Sequence, residues 1–189
     1  AAVGNHEFDY GPTASGDGHP LRGAFEEAAS KAEFQWLTAN VTYEDGSLWQ
    51  PTGVQPWTVI ERGGIRVGLI GLTTSDTPAA TLLKHVADLR FGDVVEVVGE
   101  LAPMLRHDHG ADVVIVVGHL TGQCDPSGFA DPGEPCSPPG TEIGRLLTEL
   151  PEGTVDVIVS GHAHTVLAQR WGQTFVMENR SSGRMIGQL

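Results

Sequence analysis

The feature that most constrains this 189-residue chain is a glycine followed by histidine, or by Asn-His, at three separate places. These motifs are Gly4-Asn5-His6-Glu7, Gly118-His119 and Gly161-His162-Ala163-His164. The last two come just after apolar runs at residues 113–117 and 155–159. Because an α/β sheet carries its ligand-binding loops at the carboxyl ends of its strands, we expect these polar side chains to converge. Imidazole nitrogens and amide oxygens suit Zn, Mn and Fe, so the pattern predicts a metal-dependent hydrolase.

Each motif alone is weak evidence for a metal. A single histidine such as His119 at the end of a buried strand is more often a hydrogen-bonded core residue than a ligand. Pairs such as His162 and His164 are common in surface loops, although on a strand their spacing puts both side chains on one face. The preceding glycine allows close backbone approach at all three places, and that repetition favours the metal hypothesis.

The segment from Asn5 to Asp9 is the densest polar cluster. The Asn5 amide oxygen is a candidate metal ligand and His6 a candidate proton donor, with Asp9 near enough in sequence to orient His6. The alternative is a helix N-terminus, in which Asn5 is the cap and the acidic residues favour the helix dipole. Both interpretations can hold together.

Hydrophobic periodicity predicts a layered α/β domain. Amphipathic helices are expected at residues 21–34, 93–107 and 141–150, with Thr141 as an N-cap. Strands are expected at 36–41, 57–61, 65–72, 113–117 and 155–159, followed by short strands near 166–171, 175–178 and 185–189. Residues 57–72 are predicted to form a hairpin, and 121–140 a long loop. The chain begins without Met at what looks like the tail of a strand and ends on what looks like a strand, so we expect a segment of a longer protein.

Charge excludes some function classes. The formal net charge is −13, and the only lysines are Lys31 and Lys84, so nucleic-acid binding through a basic surface is not expected. An anionic substrate would be repelled unless metal cations or a further segment supplied positive charge. No apolar run has the length of a transmembrane helix.

The two cysteines, Cys124 and Cys136, lie in one stretch rich in proline, glycine and acid. We expect a disulfide, because this loop is too polar to bury a thiol, and a disulfide implies an extracytoplasmic location. Two free thiols remain an alternative. A two-cysteine metal site is disfavoured, since no further Cys or His lies at the usual spacing.

Taken in order, the three glycine-histidine motifs resemble signature blocks of the calcineurin-like metallophosphoesterases. Residues 4–11, 37–41, 67–74 and 182–187 are similar to segments of the 5′-nucleotidase branch, so the resemblance spans nearly the whole chain. It implies a layered αββα metallophosphoesterase domain over residues 1–189. It also implies that the first strands and metal motifs of that domain, and a separate nucleotide-binding domain, lie outside this sequence.

The resemblance implies roles for individual residues. Asn5, His119 and His162 match the ligands of one divalent metal ion, and His164 matches a ligand of a second. His6 matches the histidine that protonates the leaving group, and Asp9 matches its partner. The implied metals are Zn, Mn, Fe or the Mg/Ca class.

The resemblance also implies an activity, the hydrolysis of nucleoside 5′-monophosphates, in a periplasmic, secreted or cell-surface location. A 2′,3′-cyclic-nucleotide phosphodiesterase and a UDP-sugar hydrolase are alternatives on the same scaffold. A binding module that has kept the fold without the metals is an alternative from another class.

Overall fold

The computed structural model describes residues 1–13, 21–123 and 140–188. A short 3₁₀ helix, Asn5–Phe8, lies near the start of the chain. The other elements, in chain order, are α1 (Gly23–Lys31), β1 (Trp36–Leu37), β2 (Val41–Tyr43), β3 (Val54–Gln55), β4 (Trp57–Arg62), β5 (Ile65–Thr73), α2 (Thr77–Ala80), α3 (Leu83–Val86), β6 (Leu89–Phe91), α4 (Val94–His107), β7 (Val113–Leu120), α5 (Glu142–Glu149), β8 (Val157–His162), β9 (Val166–Trp171) and β10 (Thr174–Asn179).

A six-stranded mixed sheet in the order β4-β5-β7-β8-β10-β9 forms the centre of the fold. The four inner strands run parallel, and the edge strands β4 and β9 are each antiparallel to their neighbour. The predicted hairpin at residues 57–72 is confirmed as the β4–β5 pair. Inner strands of a parallel sheet are covered on both faces, which explains the continuous apolar run in β7.

One hydrophobic core joins the sheet to α4 and α5. Its members include Val98 and Leu105 from α4, Leu146 from α5, and Val114 and Ile158 from the sheet. The two helices begin where the sequence predicts. The carboxylate of Asp93 accepts the backbone N–H groups of Val95 and Glu96 at the start of α4, and the Thr141 hydroxyl accepts the N–H of Gly144 at the start of α5.

Two small sheets lie beside the central one, the parallel pair β1–β3 and the antiparallel pair β2–β6. A second core, built around Phe8, Phe25 and Trp49, lies beneath them. β1 approaches β5 so closely that a Cβ atom on Gly71 would overlap the backbone of Leu37. The mixed, layered α/β architecture expected from the sequence is therefore confirmed.

Several predicted boundaries were wrong. The single strand expected at 36–41 is two strands, β1 and β2, which pair with different partners. The strand expected at 185–189 is absent from the described residues 185–188. The predicted helix 21–34 is shorter, since α1 covers Gly23–Lys31 only. Cys124 and Cys136 lie outside the described residues. Among the described residues, no helix is long and apolar enough to cross a membrane.

Candidate functional site

The carboxyl ends of β7 and β8 carry the two glycine-histidine motifs at one edge of the sheet. His119 pairs with Gly161, and Leu120 pairs with His162, in the parallel ladder between these strands. The sequence placed both histidines just after their strands, whereas the structure makes His119 the penultimate residue of β7 and His162 the last residue of β8. The ladder therefore fixes the relative position of the two imidazoles.

Asn5, the first residue of the 3₁₀ helix, reaches the same place. Its side chain is buried, and its Oδ1 atom lies 2.8 Å from Nε2 of His119. The Asn5 amide nitrogen donates to the carbonyl of Ala80 at 3.1 Å, so Oδ1 is the acceptor and Nε2 of His119 donates. Gly4 makes this approach possible, because a Cβ there would lie 2.9 Å from the ring of His119.

His162 completes a group of three with Asn5 and His119, which we call the ligand cluster. The rings of His119 and His162 have centroids 4.7 Å apart. His162 and His164 both adopt left-handed backbone conformations, with φ of 93° and 56°. Non-glycine residues hold such conformations where the surrounding structure enforces them, and they are concentrated at functional sites.

A second group, the His6–Asp9 pair, lies beside the ligand cluster. Nδ1 of His6 is 2.7 Å from Oδ2 of Asp9, and the ring centroids of His6 and His119 are 6.5 Å apart. The hydrogen bond from His6 holds the pKa of the Asp9 carboxyl below its usual range, and the hydroxyl of Thr81 contributes in the same direction. Asp9 is therefore an anion at neutral pH and fixes one nitrogen of the imidazole.

Burial lowers the pKa of His119 to about 4, and the neighbouring His162, His6 and His164 act in the same direction. Burial also lowers the pKa of His162, against the opposing charges of Glu142 and Asp76. Both rings are therefore neutral at pH 7. Neutral imidazole is the form that binds metal ions, because the lone pair is free once the proton is absent.

A buried carboxylate, Glu142, supports this edge of the sheet. Its Oε1 accepts the backbone N–H and the hydroxyl of Ser75 at 2.8 and 2.9 Å, and its Oε2 accepts the backbone N–H of Thr121 at 2.8 Å. Glu142 thus connects the segment after β5 to the segment after β7, two residues beyond His119. Its negative charge also favours a cation near the histidines.

Glu178 on β10 is a second buried carboxylate, close to the loop that follows His162. It accepts the backbone N–H of Thr165 at 3.4 Å, and its Oε2 has no hydrogen-bond partner. Burial raises the pKa of Glu178 to about 7, although the backbone N–H groups of residues 163–165 oppose the shift.

The ligand cluster fits a divalent ion in its chemistry: two neutral imidazoles and an amide oxygen converge, with carboxylates behind them. The cluster is not a complete site, because no group of three or more His, Cys, Asp or Glu able to hold a metal ion is found within residues 1–13, 21–123 and 140–188. His164 is near enough for its charge to lower the pKa of His119 and His162. Its place as a ligand stays a prediction.

The sequence motifs did not reveal three residues that support the site: Thr81, Glu142 and Glu178. Glu142 adjoins the predicted helix cap Thr141, which marks a helix start but no long-range partner. The partners of Thr81 and Glu142 lie 72 and 67 residues away. Local patterns carry no signal for contacts of that range.

Comparisons with known proteins agree with this fold. The chain is 26% identical to the cell wall protein Lmo0130 of Listeria monocytogenes, over 96% of the chain and 24% of that protein. It is 28% identical to a 5′-nucleotidase of Vibrio cholerae, over 96% of the chain and 29% of that protein. The chain thus spans about a quarter of the length of these relatives. No family model matches it.

A solved structure has a similar fold. The 5′-nucleotidase precursor of Thermus thermophilus superimposes with a TM-score of 0.61 and is 28% identical in sequence. The match covers 89% of the chain described above and 27% of that protein.

Proposed function

The chain belongs to the 5′-nucleotidase branch of the calcineurin-like metallophosphoesterases, and on that ground we propose that it hydrolyses the phosphate ester of nucleoside 5′-monophosphates with two divalent metal ions. The observation that carries this proposal is the ligand cluster beside the His6–Asp9 pair. The ring centroids of His6 and His119 are 6.5 Å apart, so a metal-binding group and a proton donor are close enough to act on one phosphate.

Asn5, His119 and His162 would hold one ion, and His164 would contribute to a second. The imidazole nitrogens favour Zn and Fe, and the amide oxygen is a ligand type that also suits Mn and the Mg/Ca class. In the arrangement described above, a proton on Nε2 of His119 joins it to Asn5. A cation held by both atoms would replace that proton.

Charge supports the involvement of cations. The chain carries a formal net charge of −13. The ionisable groups at the site are histidines and the carboxylates of Asp9, Asp76 and Glu142, which attract cations and repel phosphate. A phosphate ester therefore needs positive charge from divalent ions or from a further segment to bind here.

When bound, the metal ions supply a water activated for attack and offset the charge that develops on the phosphoryl oxygens. The protein supplies the proton for the leaving group. Asp9 fixes Nδ1 of His6, which leaves Nε2 as the nitrogen available to a substrate. His6 then donates a proton from Nε2 to the departing 5′ oxygen, as a positioned general acid.

The location belongs to the proposal as well. We place the protein outside the cytoplasm, and the name of the Listeria relative, a cell wall protein, supports this. The expected Cys124–Cys136 disulfide would agree with the same compartment. We further take residues 1–189 to be the metallophosphoesterase catalytic domain, acting on a small nucleotide.

An assay of the protein expressed from its full reading frame tests the proposal. With Mn²⁺ or Zn²⁺ it should release phosphate from AMP, and a chelator should abolish the release. The variant His6→Asn should lower kcat roughly 10²- to 10⁴-fold, with metal content unchanged. Asn5→Ala should instead lower the bound metal. His107→Asn, at the exposed end of α4, is the matched control and should behave as wild type.

The same assay distinguishes the alternatives. Preferential turnover of 2′,3′-cyclic AMP or UDP-glucose would show that the substrate is another phosphoester, hydrolysed on the same scaffold. If no nucleotide is hydrolysed with any of the metals, the enzymatic proposal is wrong and a binding module is favoured.

A further inference from the structure

Both oxygens of the Asp9 carboxylate have a partner. Oδ2 is 2.7 Å from Nδ1 of His6, and Oδ1 accepts a hydrogen bond from the Thr81 hydroxyl at 2.8 Å. Thr81 directly follows α2 and lies 72 residues after Asp9 in the chain. Thr81, Asp9 and His6 therefore form a continuous hydrogen-bonded chain that ends at the imidazole.

The second hydrogen bond has a physical consequence. The terminal torsion of an aspartate is broad, so one hydrogen bond leaves the carboxylate free to rotate. The Asp9 side chain is 39% exposed, and water competes for its oxygens. A donor fixed on another element removes that freedom and holds Oδ2 where Nδ1 of His6 needs it. The hydroxyl also favours the ionised carboxylate, whose pKa is lowered.

The segment around Thr81 also supports the rest of the 3₁₀ helix. The carbonyl of Ala80 accepts from the Asn5 side chain at 3.1 Å, and Nδ1 of His85 lies 2.7 Å from the carbonyl oxygen of Phe8. Residues 80–85 thus contact the first residue of this helix, its last residue and Asp9, which follows it. This one segment therefore holds Asn5, the proposed metal ligand, and the His6–Asp9 pair in fixed positions relative to each other.

We infer that Thr81 is a positioning residue that fixes the carboxylate of Asp9, and through it directs His6 toward the leaving oxygen of the substrate. This inference rests on the proposed function for its catalytic consequence, since only a reacting ester makes use of the orientation of His6. The hydrogen-bonded chain itself can be tested without turnover.

Kinetics of the protein from the full reading frame give the first test. Thr81→Val replaces the hydroxyl by a methyl group of similar size and should lower kcat for AMP roughly 10- to 100-fold, because the acid is misplaced. KM should stay unchanged, since Thr81 has no proposed contact with substrate. Thr81→Ser should restore kcat. Thr52→Val, in an exposed turn, is the matched control.

A comparison of two substrates with different leaving groups distinguishes a loss of positioning from general damage to the active site. The p-nitrophenolate ion departs without a proton, so Thr81→Val should slow hydrolysis of p-nitrophenyl phosphate much less than hydrolysis of AMP. Equal losses on both substrates, or an unchanged kcat for AMP, would overturn the inference.

Proton NMR of histidine-labelled protein tests the same chain without activity. The Nδ1–H of His6, assigned with His6→Asn, should give a resolved low-field signal in the wild type and in Thr81→Ser. In Thr81→Val that signal should broaden or disappear through exchange with water. A signal that persists in Thr81→Val overturns the inference. If the wild type hydrolyses no nucleotide, the proposed function is refuted. If Thr81→Val nevertheless loses the signal, the positioning role is still supported.

Discussion

Oδ1 of Asn5 lies 2.8 Å from Nε2 of His119, although 114 residues separate them along the chain. Two ligands of one ion, each about 2.1 Å from it and at right angles, would themselves be about 3 Å apart. Oδ1 of Asn5 and Nε2 of His119 therefore already lie close to the separation expected of two ligands that share an ion. A preformed arrangement of this kind reduces the ordering that metal binding must bring about.

The first prediction concerns the contribution of Glu142 to the stability of the fold. Glu142→Ala would remove the carboxylate that accepts the backbone N–H groups of Ser75 and Thr121. Hydrogen bonds to a charged group stabilise more than neutral ones, so we expect the free energy of unfolding to fall by about 1–3 kcal/mol. Chemical denaturation of the metal-free protein measures this difference.

The matched control for Glu142 is Glu149→Ala on the same helix. Glu149 is exposed and forms an ion pair with Arg145, so its removal should change stability little. If both variants lose the same stability, Glu142 is not the connection between the two segments that the structure indicates.

Much of the fold follows from local pattern. Thr141 predicts the start of α5, because a side-chain acceptor ahead of an amphipathic run is a local signal, and the apolar spacing after Asp93 predicts α4. The β-branched run of β7 predicts a buried strand, and the glycine-histidine motifs predict which strand ends meet. The resemblance to a family follows from the same residues.

The predictions that failed depend on partners distant in sequence. Residues 36–41 look like one strand, yet β1 pairs with β3 while β2 pairs with β6, so the chain must bend between them. The apolar residues Met185 and Ile186 suggest a strand, but they are exposed and outside the sheet. The contact of Thr81 with Asp9 has no local signature, since a single threonine after a short helix resembles many others.

We predict that the protonation of Glu178 makes the stability of the fold depend on pH. The pKa of this carboxyl is raised from 4.5 to about 7 by burial, so the folded state binds the proton more tightly than the unfolded state. Its contribution to stability is therefore complete below about pH 4.5 and is lost as the pH rises to about 7. Glu178→Gln mimics the neutral acid and should lose less stability than the wild type between pH 5 and pH 8.

Thermal unfolding of the metal-free wild type and Glu178→Gln at both pH values measures this effect. The other titrating groups, including His119, are present in both proteins, so the difference between them isolates Glu178. Parallel pH profiles for the two proteins would show that folding does not raise the pKa of the Glu178 carboxyl.

The expected disulfide has a direct chemical test. Cys124 and Cys136 lie outside the described residues, and their pairing stays a prediction from sequence. Protein secreted into an oxidising compartment should not react with iodoacetamide until it is reduced. Its proteolytic peptides should then contain both cysteines in one disulfide-bonded species. Alkylation of both thiols without reduction would rule out the bond and weaken the extracytoplasmic proposal.

The most direct test of the central claim is the anomalous scattering of zinc in crystals of the protein from the full reading frame. We predict a peak about 2.0–2.2 Å from Oδ1 of Asn5 and from one nitrogen each of His119 and His162. His6 should lie outside that coordination shell, with its hydrogen bond to Asp9 intact. Zinc bound elsewhere, with the direct hydrogen bond between Asn5 and His119 retained, would contradict the assignment of this cluster as a metal centre.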